Sequence, residues 1–183
     1  MIERLLYKLK NWRAIWRAFY LGSAVKFNDL TMRGELSAKV IRKNGRQINL
    51  GVIGRRVVTT AGVNFLRDDF NAAAGGADIT NFKFHDSGTG VVAEAVGDVD
   101  LGTPAGPTTR ATGTQSGGVS KQYVTVGTIS YTGTLAITEH GIFNQAARGA
   151  GSTLWDRTVF AAINVVNLDS IQFTYTLTIN DGG

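Results

Sequence analysis

The stretch "SIQFTYTLTIN" (170–180) alternates without a break, Ile171, Phe173, Tyr175, Leu177 and Ile179 against Gln172, Thr174, Thr176 and Thr178. A period of two sends successive side chains to opposite faces of a pleated strand, so one face is core and the other is wet. Such a strand needs neighbours, and the sequence upstream supplies them. "YVTVGTISYTG" and "TLAITEHGIF" read as two runs separated by Gly133, "RTVFAAINVV" as a third, and "DITNFKFHD" alternates Ile79, then Phe82 and Phe84, against polar residues. Lys43-Asn44-Gly45-Arg46 lies between two further β-rich runs, near 38–43 and 46–53, and Asn-Gly there predicts a two-residue hairpin with positive φ at both positions. Weaker strands over 91–99 and 108–116 bring the count to eight or nine.

Glycine stands at 23 of 183 residues and proline at 2, which suits many tight turns between short strands. The expected fold is mainly β, an antiparallel β-sandwich, with a jelly roll as the arrangement that this number of strands favours. One short helix is expected near 60–73, N-capped by Thr59 or Thr60, with Val63, Leu66 and Phe70 on one face. The chain divides into a segment 1–21, a connector over 22–37 and a β domain over 38–183.

Segment 1–21 has a different texture. Ile2, Leu5, Leu9, Trp12, Trp16 and Phe19 recur at alternating spacings of three and four, the period of an amphipathic helix. Arg4, Lys8, Lys10, Arg13 and Arg17 against Glu3 make its first twenty residues +4, so a formal charge of +5 leaves about +1 for the remainder. The basicity belongs to the arm, and the body lacks the spread of Lys/Arg that a nucleic-acid-binding face shows. The burial of its apolar stripe barely offsets the ordering of twenty residues, so the helix needs a partner surface. Trp and Arg dominate protein interfaces, so a protein groove fits best, taking Leu5, Leu9, Trp12, Trp16 and Phe19 with Arg13 and Arg17 at the rim. An anionic membrane surface and a self-associated coiled coil are the weaker fits. No run approaches the ~20 apolar residues that span a bilayer, and none resembles a secretory signal core; a soluble, unexported chain is expected.

Catalytic chemistry is hard to assemble from these residues. Cysteine is absent, which removes thiol nucleophiles, disulfides and Cys-based zinc sites. His85-Asp86-Ser87 spell a hydrolytic trio, but neighbours on a strand point to alternating sides and cannot form the relay. His140, the second imidazole, and His85 are expected at strand ends, hydrogen-bonded to backbone or water. Asp98 and Asp100 in "GDVD" have a spacing that a hard cation could use, although the calcium-loop pattern is missing and turn formation is the simpler role. "HDSGTG" contains Gly-x-Gly but leads into further β-like sequence rather than a helix N-terminus. Arg55-Arg56 is read as one arginine outward and one at a subunit interface. No set of residues supports an enzyme, and no cofactor is expected. Tyr123, Tyr131 and Trp155 are candidates for stacking on sugar, should the domain act as a lectin.

Two blocks of the sequence carry a resemblance. "FHDSGTGVVAEAVGDVDLGTP" and, further on, "ITEHGIF" with "DRTVFAAINVVNLDSIQFTY" resemble a family of tailed-bacteriophage virion structural proteins, over roughly residues 40–181. The resemblance implies a capsid cement or decoration protein, or a tail or fibre component, located on the virion and favouring its outer capsid surface. It also implies the major capsid protein or other virion subunits as partners, and a symmetric homo-oligomer, with a trimer favoured. Residues 1–21 lie outside the resemblance.

Overall fold

In a computed structural model the described residues are 31–70, 79–117 and 121–180. The arm, with Leu5, Leu9, Trp12, Arg13, Trp16, Arg17 and Phe19, lies outside them, as do residues 22–30 of the connector. The last part of that connector is strand: β1 runs over Thr31–Ile41. Leu36, Ala38 and Val40 are buried with polar residues between them, but Gly34 and Ala38 are too small to make the alternation legible.

β2 (Gln47–Val58) pairs antiparallel with β1 and extends five residues beyond its expected end. The turn between them keeps Gly45 at φ +81° but leaves Asn44 at negative φ, with Arg42 N–H donating to Arg46 O at 2.9 Å, so it is longer than the two-residue hairpin expected. Register shifts leave Leu50 and Ile53 of β2 without partners. Each extra residue bends the strand and increases its twist. β2 thereby leaves β1, and its last residues, Val57 and Val58, pair with Arg157 and Asp156 of β8 (Leu154–Val165).

The opposite corner is made by a single segment. β4 (Ala111–Thr112) pairs with β3 (Phe84–Gly88), and after Gly113 the chain continues as β5 (Thr114–Ser116), paired with β6 (Gln122–Ser130). A Cβ at Gly113 would sit 2.2 Å from Thr125 Oγ1 and 2.7 Å from His85 Nε2, so only glycine fits this corner. With β7 (Leu135–Phe143) and β9 (Ser170–Asn180), the order is β4-β3-β7-β8-β2-β1-β9-β6-β5. The result is two antiparallel sheets, one of β5-β6-β9-β1-β2 and one of β2-β8-β7-β3-β4, each continued into the other at both edges.

The expected final strand is found with its inward face intact: Ile171, Phe173, Tyr175 and Leu177 are buried, while Ile179 is 39% exposed. The core between the sheets centres on Leu36, Ile129, Tyr131, Ile137, Ile171 and Phe173. Helix α1 (Thr60–Phe70) begins at Thr59, whose Oγ1 accepts from Gly62 N–H at 3.0 Å. Its buried contacts are Phe65 and Leu66, packed with Phe82 and Trp155, whereas Val63 of the expected face is 46% exposed. Phe82 is drawn under this helix, so residues 79–81 form a 3-10 turn instead of the strand expected there. Residues 91–99 form no strand.

Gly127 of β6 lies against the ring of His85, where an added Cβ would approach Cδ2 to 2.5 Å. Gly127→Ala should therefore destabilise the chain by about 1–3 kcal/mol. Gly117→Ala, where nothing lies within 4 Å, should stay within about 0.5 kcal/mol. Urea unfolding of the two variants checks both.

Candidate functional site

Among the described residues, seven charged side chains and both histidines are buried. On β3 the alternation separates the hydrolytic trio as expected: His85 and Ser87 enter the space between the sheets, while Asp86 points out the other way, to Arg110 and Arg148. Ser87 Oγ meets Tyr131 Oη at 2.9 Å, not a histidine. The two imidazoles are fully buried, and their ring nitrogens face side chains, one nitrogen of each ring meeting the other ring.

Four side chains form a directed line. Arg56 Nη1 lies 2.7 Å from His140 Nδ1, His140 Nε2 lies 3.1 Å from His85 Nδ1, and His85 Nε2 lies 3.2 Å from Thr125 Oγ1. An arginine can only donate, so His140 Nδ1 must accept and its proton must sit on Nε2. That proton is donated to His85 Nδ1, which leaves the second proton on His85 Nε2, donated to Thr125. Both tautomers follow from one guanidinium. Burial first, and then the nearby charge of Arg56, lower the His85 pKa to about 3 and that of His140 well below its ordinary value. Both rings are neutral at pH 7.

The same guanidinium faces Asp156. Its Nη2 donates to the backbone oxygens of Asp156 at 3.0 Å and His140 at 3.3 Å, and makes an ion contact with the Asp156 carboxylate. β7 and β8 pair Ile142 with Asp156 but Phe143 with Leu154, so Trp155 is a bulge residue. The bulge brings consecutive side chains to one partner: Trp155 Nε1 donates to Tyr175 Oη at 2.9 Å, and that hydroxyl lies against Asp156. Burial raises the Asp156 pKa above its ordinary range in spite of Arg56, since neither carboxylate oxygen has an aligned hydrogen bond. Arg56, one of the pair read as one arginine outward and one at a subunit interface, is thus an interior residue. Arg55 points the opposite way and stands cross-strand from Glu35.

A second set of charges lies on the other face of the β7–β8 sheet. Glu139 accepts from the N–H groups of Gly90 at 3.0 Å, Gly102 at 2.9 Å and Thr103 at 2.7 Å, and from Arg157 Nε at 2.8 Å. Burial alone would raise its pKa, but the N–H groups of Thr103 and Gly102, with Arg157, hold it below the ordinary carboxylate value. Arg157 also donates to Asp98 Oδ2 at 2.9 Å and Val92 O at 3.0 Å. Glu94 accepts from Val159 N–H at 3.2 Å, and Val96 O accepts from Thr60 N–H at 2.8 Å. Loop 89–103 is therefore pinned along its length, with Leu101 packed on Phe143 and Leu154 beneath it.

Asp98 and Asp100 do not form a cation site. Asp98 is paired with Arg157 and accepts from Ala95 N–H, while Asp100 lies 3.8 Å from Arg110. Among the described residues no group of three or more His, Asp or Glu is placed to hold a metal ion. Of the sugar-stacking candidates, Tyr131 is 2% and Trp155 3% exposed, and the half-buried Tyr123 donates its hydroxyl to Phe82 O. No described helix is long and apolar enough to cross a membrane.

The buried histidines make stability dependent on pH in one direction. Their folded pKa values lie below the unfolded value near 6.5, so the unfolded chain binds more protons as pH falls. Their contribution is complete above about pH 6.5 and is lost on acidification, by up to ~1.4 kcal/mol per pH unit for each histidine, until the folded values are reached. Glu139 adds a loss in the same direction at lower pH. Urea midpoints measured from pH 7.5 to pH 4 should fall steadily, and a flat profile would contradict the neutral pair. Arg56→Met strands Asp156 and His140 together and should cost about 3–5 kcal/mol, whereas Arg55→Met should cost under about 0.5 kcal/mol in the same assay.

No family model, curated protein or solved structure matches this chain.

Proposed function

We propose that this chain is a non-enzymatic structural protein of a tailed-bacteriophage virion, of the cement or decoration type, which binds the capsid shell and stabilises it. The resemblance of residues 40–181 to such proteins motivates the reading. The observation that carries it is the closure of the interior: His85, His140, Arg56, Asp156, Glu139 and Arg157 are engaged with one another or with backbone, as parts of a lock between strands. A rigid body with its ionisable groups tied internally suits a part that bears load better than one that turns over substrate. We read the fold as a jelly-roll variant, because β1 with β9, β2 with β8, β3 with β7 and β5 with β6 are the four partnerships of a rolled antiparallel hairpin.

Segment 1–21 holds the protein in place in this reading, through the shell protein or a neighbouring subunit, in a homo-oligomer for which a trimer is favoured. The outer capsid surface is the favoured location. A receptor-binding tail or fibre role is the second reading, and the burial of Tyr131 and Trp155 weighs against it. Shells depleted of this protein should retain the full chain on re-addition and fail to retain a variant beginning at residue 22. Equal occupancy by both would exclude attachment through the arm. Flotation of the full chain, but not the variant, with phosphatidylserine vesicles would favour a membrane-surface role instead.

A further inference from the structure

Loop 89–101 exposes four valines on a rigid support. Val91 is 73%, Val92 74%, Val96 61% and Val99 72% exposed. They are not the tips of a slack connection, because buried Glu139 and Arg157 fix the backbone at Gly90, Val92 and Gly102, and Thr60 fixes it at Val96. Holding apolar side chains in water by means of buried ions is unfavourable for an isolated domain. It suits a surface organised in advance for a partner, since the ordering cost of binding has already been met.

The charge around the valines says what kind of partner. Residues 89–101 contain Glu94, Asp98 and Asp100 and no Lys or Arg; Asp98 is paired with Arg157, which leaves Glu94 and the half-exposed Asp100 as the acids that a partner meets. The complement is an apolar segment with a basic rim. Residues 1–20 of this chain have that composition, with Leu5, Leu9, Trp12, Trp16 and Phe19 at spacings of three and four among five basic residues and one acid. We propose that loop 89–101 is the acceptor for residues 1–20 of a second copy of this chain, the contact that links subunits into the oligomer. The proposal rests on the reading of the protein as a self-assembling virion subunit and names the surface its arm takes. Apolar contact supplies affinity, and the opposed charges supply encounter rate and choice of partner.

The test uses full-length protein. A photo-crosslinking p-benzoylphenylalanine replaces Trp12 in an equal mixture of nitrogen-14 and nitrogen-15 copies. Heavy-to-light cross-links into residues 89–101 are expected; cross-links within one copy only, or into another region, overturn the proposal. Val92→Asp combined with Val96→Asp should weaken self-association by about tenfold or more, read by sedimentation, because apolar contacts become buried charges. Their urea midpoint should be unchanged, and Val166→Asp with Leu168→Asp, exposed at 45% and 66%, should associate as the parent does. Self-association unchanged in the Val92/Val96 variant overturns the proposal. If the full chain binds shells but self-association is unchanged in the Val92/Val96 variant, the acceptor is elsewhere and the virion function stands; if the variant loses self-association but the full chain binds no shells, the acceptor stands and the virion function fails.

Discussion

A guanidinium between two β-sheets organises the interior of this protein. Arg56 reaches it because two extra residues in β2 bend that strand from β1 toward β8, which puts its charge at the seam of the two sheets. Once there, it has to be neutralised and hydrogen-bonded, or burial would cost more than the fold could bear. Asp156 supplies the countercharge, His140 Nδ1 accepts from Nη1, and the backbone oxygens of Asp156 and His140 accept from Nη2. The direction of every proton from Arg56 to Thr125 then follows, because a donor-only group at one end leaves each imidazole a single choice of tautomer. Tyr175, Trp155 and the glycines at 113 and 127 are shaped around this line.

Two charged systems sit on either side of one sheet. Inside, the arginine–histidine line joins β2, β7, β3 and β6. Outside, Glu139 and Arg157 pin a loop that has one buried apolar residue, Leu101, and four exposed valines. A loop so poor in buried apolar surface is not held by hydrophobic contact. Charge-assisted hydrogen bonds to its backbone do that instead, at about twice the strength of neutral ones. The polar interior thus gives uniqueness of arrangement more than bulk stability, because a buried donor or acceptor is costly wherever it loses its partner.

Much of the β architecture was legible from residue pattern. Strands β6, β7, β8 and β9 lie close to where alternation put them, since each has large apolar residues on one face. Only the end of β1, near 38–43, reads as strand in the sequence; its first part reads as connector because Gly34 and Ala38 occupy inward positions with too little side chain to register. The strand expected over 91–99 failed for the opposite reason: its valines imitate a strand while the backbone of this loop bonds to Glu139, Arg157 and Thr60. The separation of Asp86 from His85 and Ser87 was predictable from strand geometry alone. The pairing of His85 with His140 was not, because they lie 55 residues apart and meet only where β3 and β7 are neighbours.

What this sequence determined by itself was local: the period of its strands, the turn at Asn44-Gly45, the cap at Thr59 and the concentration of positive charge in its first twenty residues. These depend on neighbours along the chain and on the steric preferences of single residues. The tertiary structure alone decided which arginine of Arg55-Arg56 is buried, which carboxylates lose their water and which way each histidine proton points. Those outcomes depend on bulges that change the face a side chain occupies, and on charges brought together from strands up to a hundred residues apart. Desolvation is a property of the assembled interior, and no window of sequence contains it.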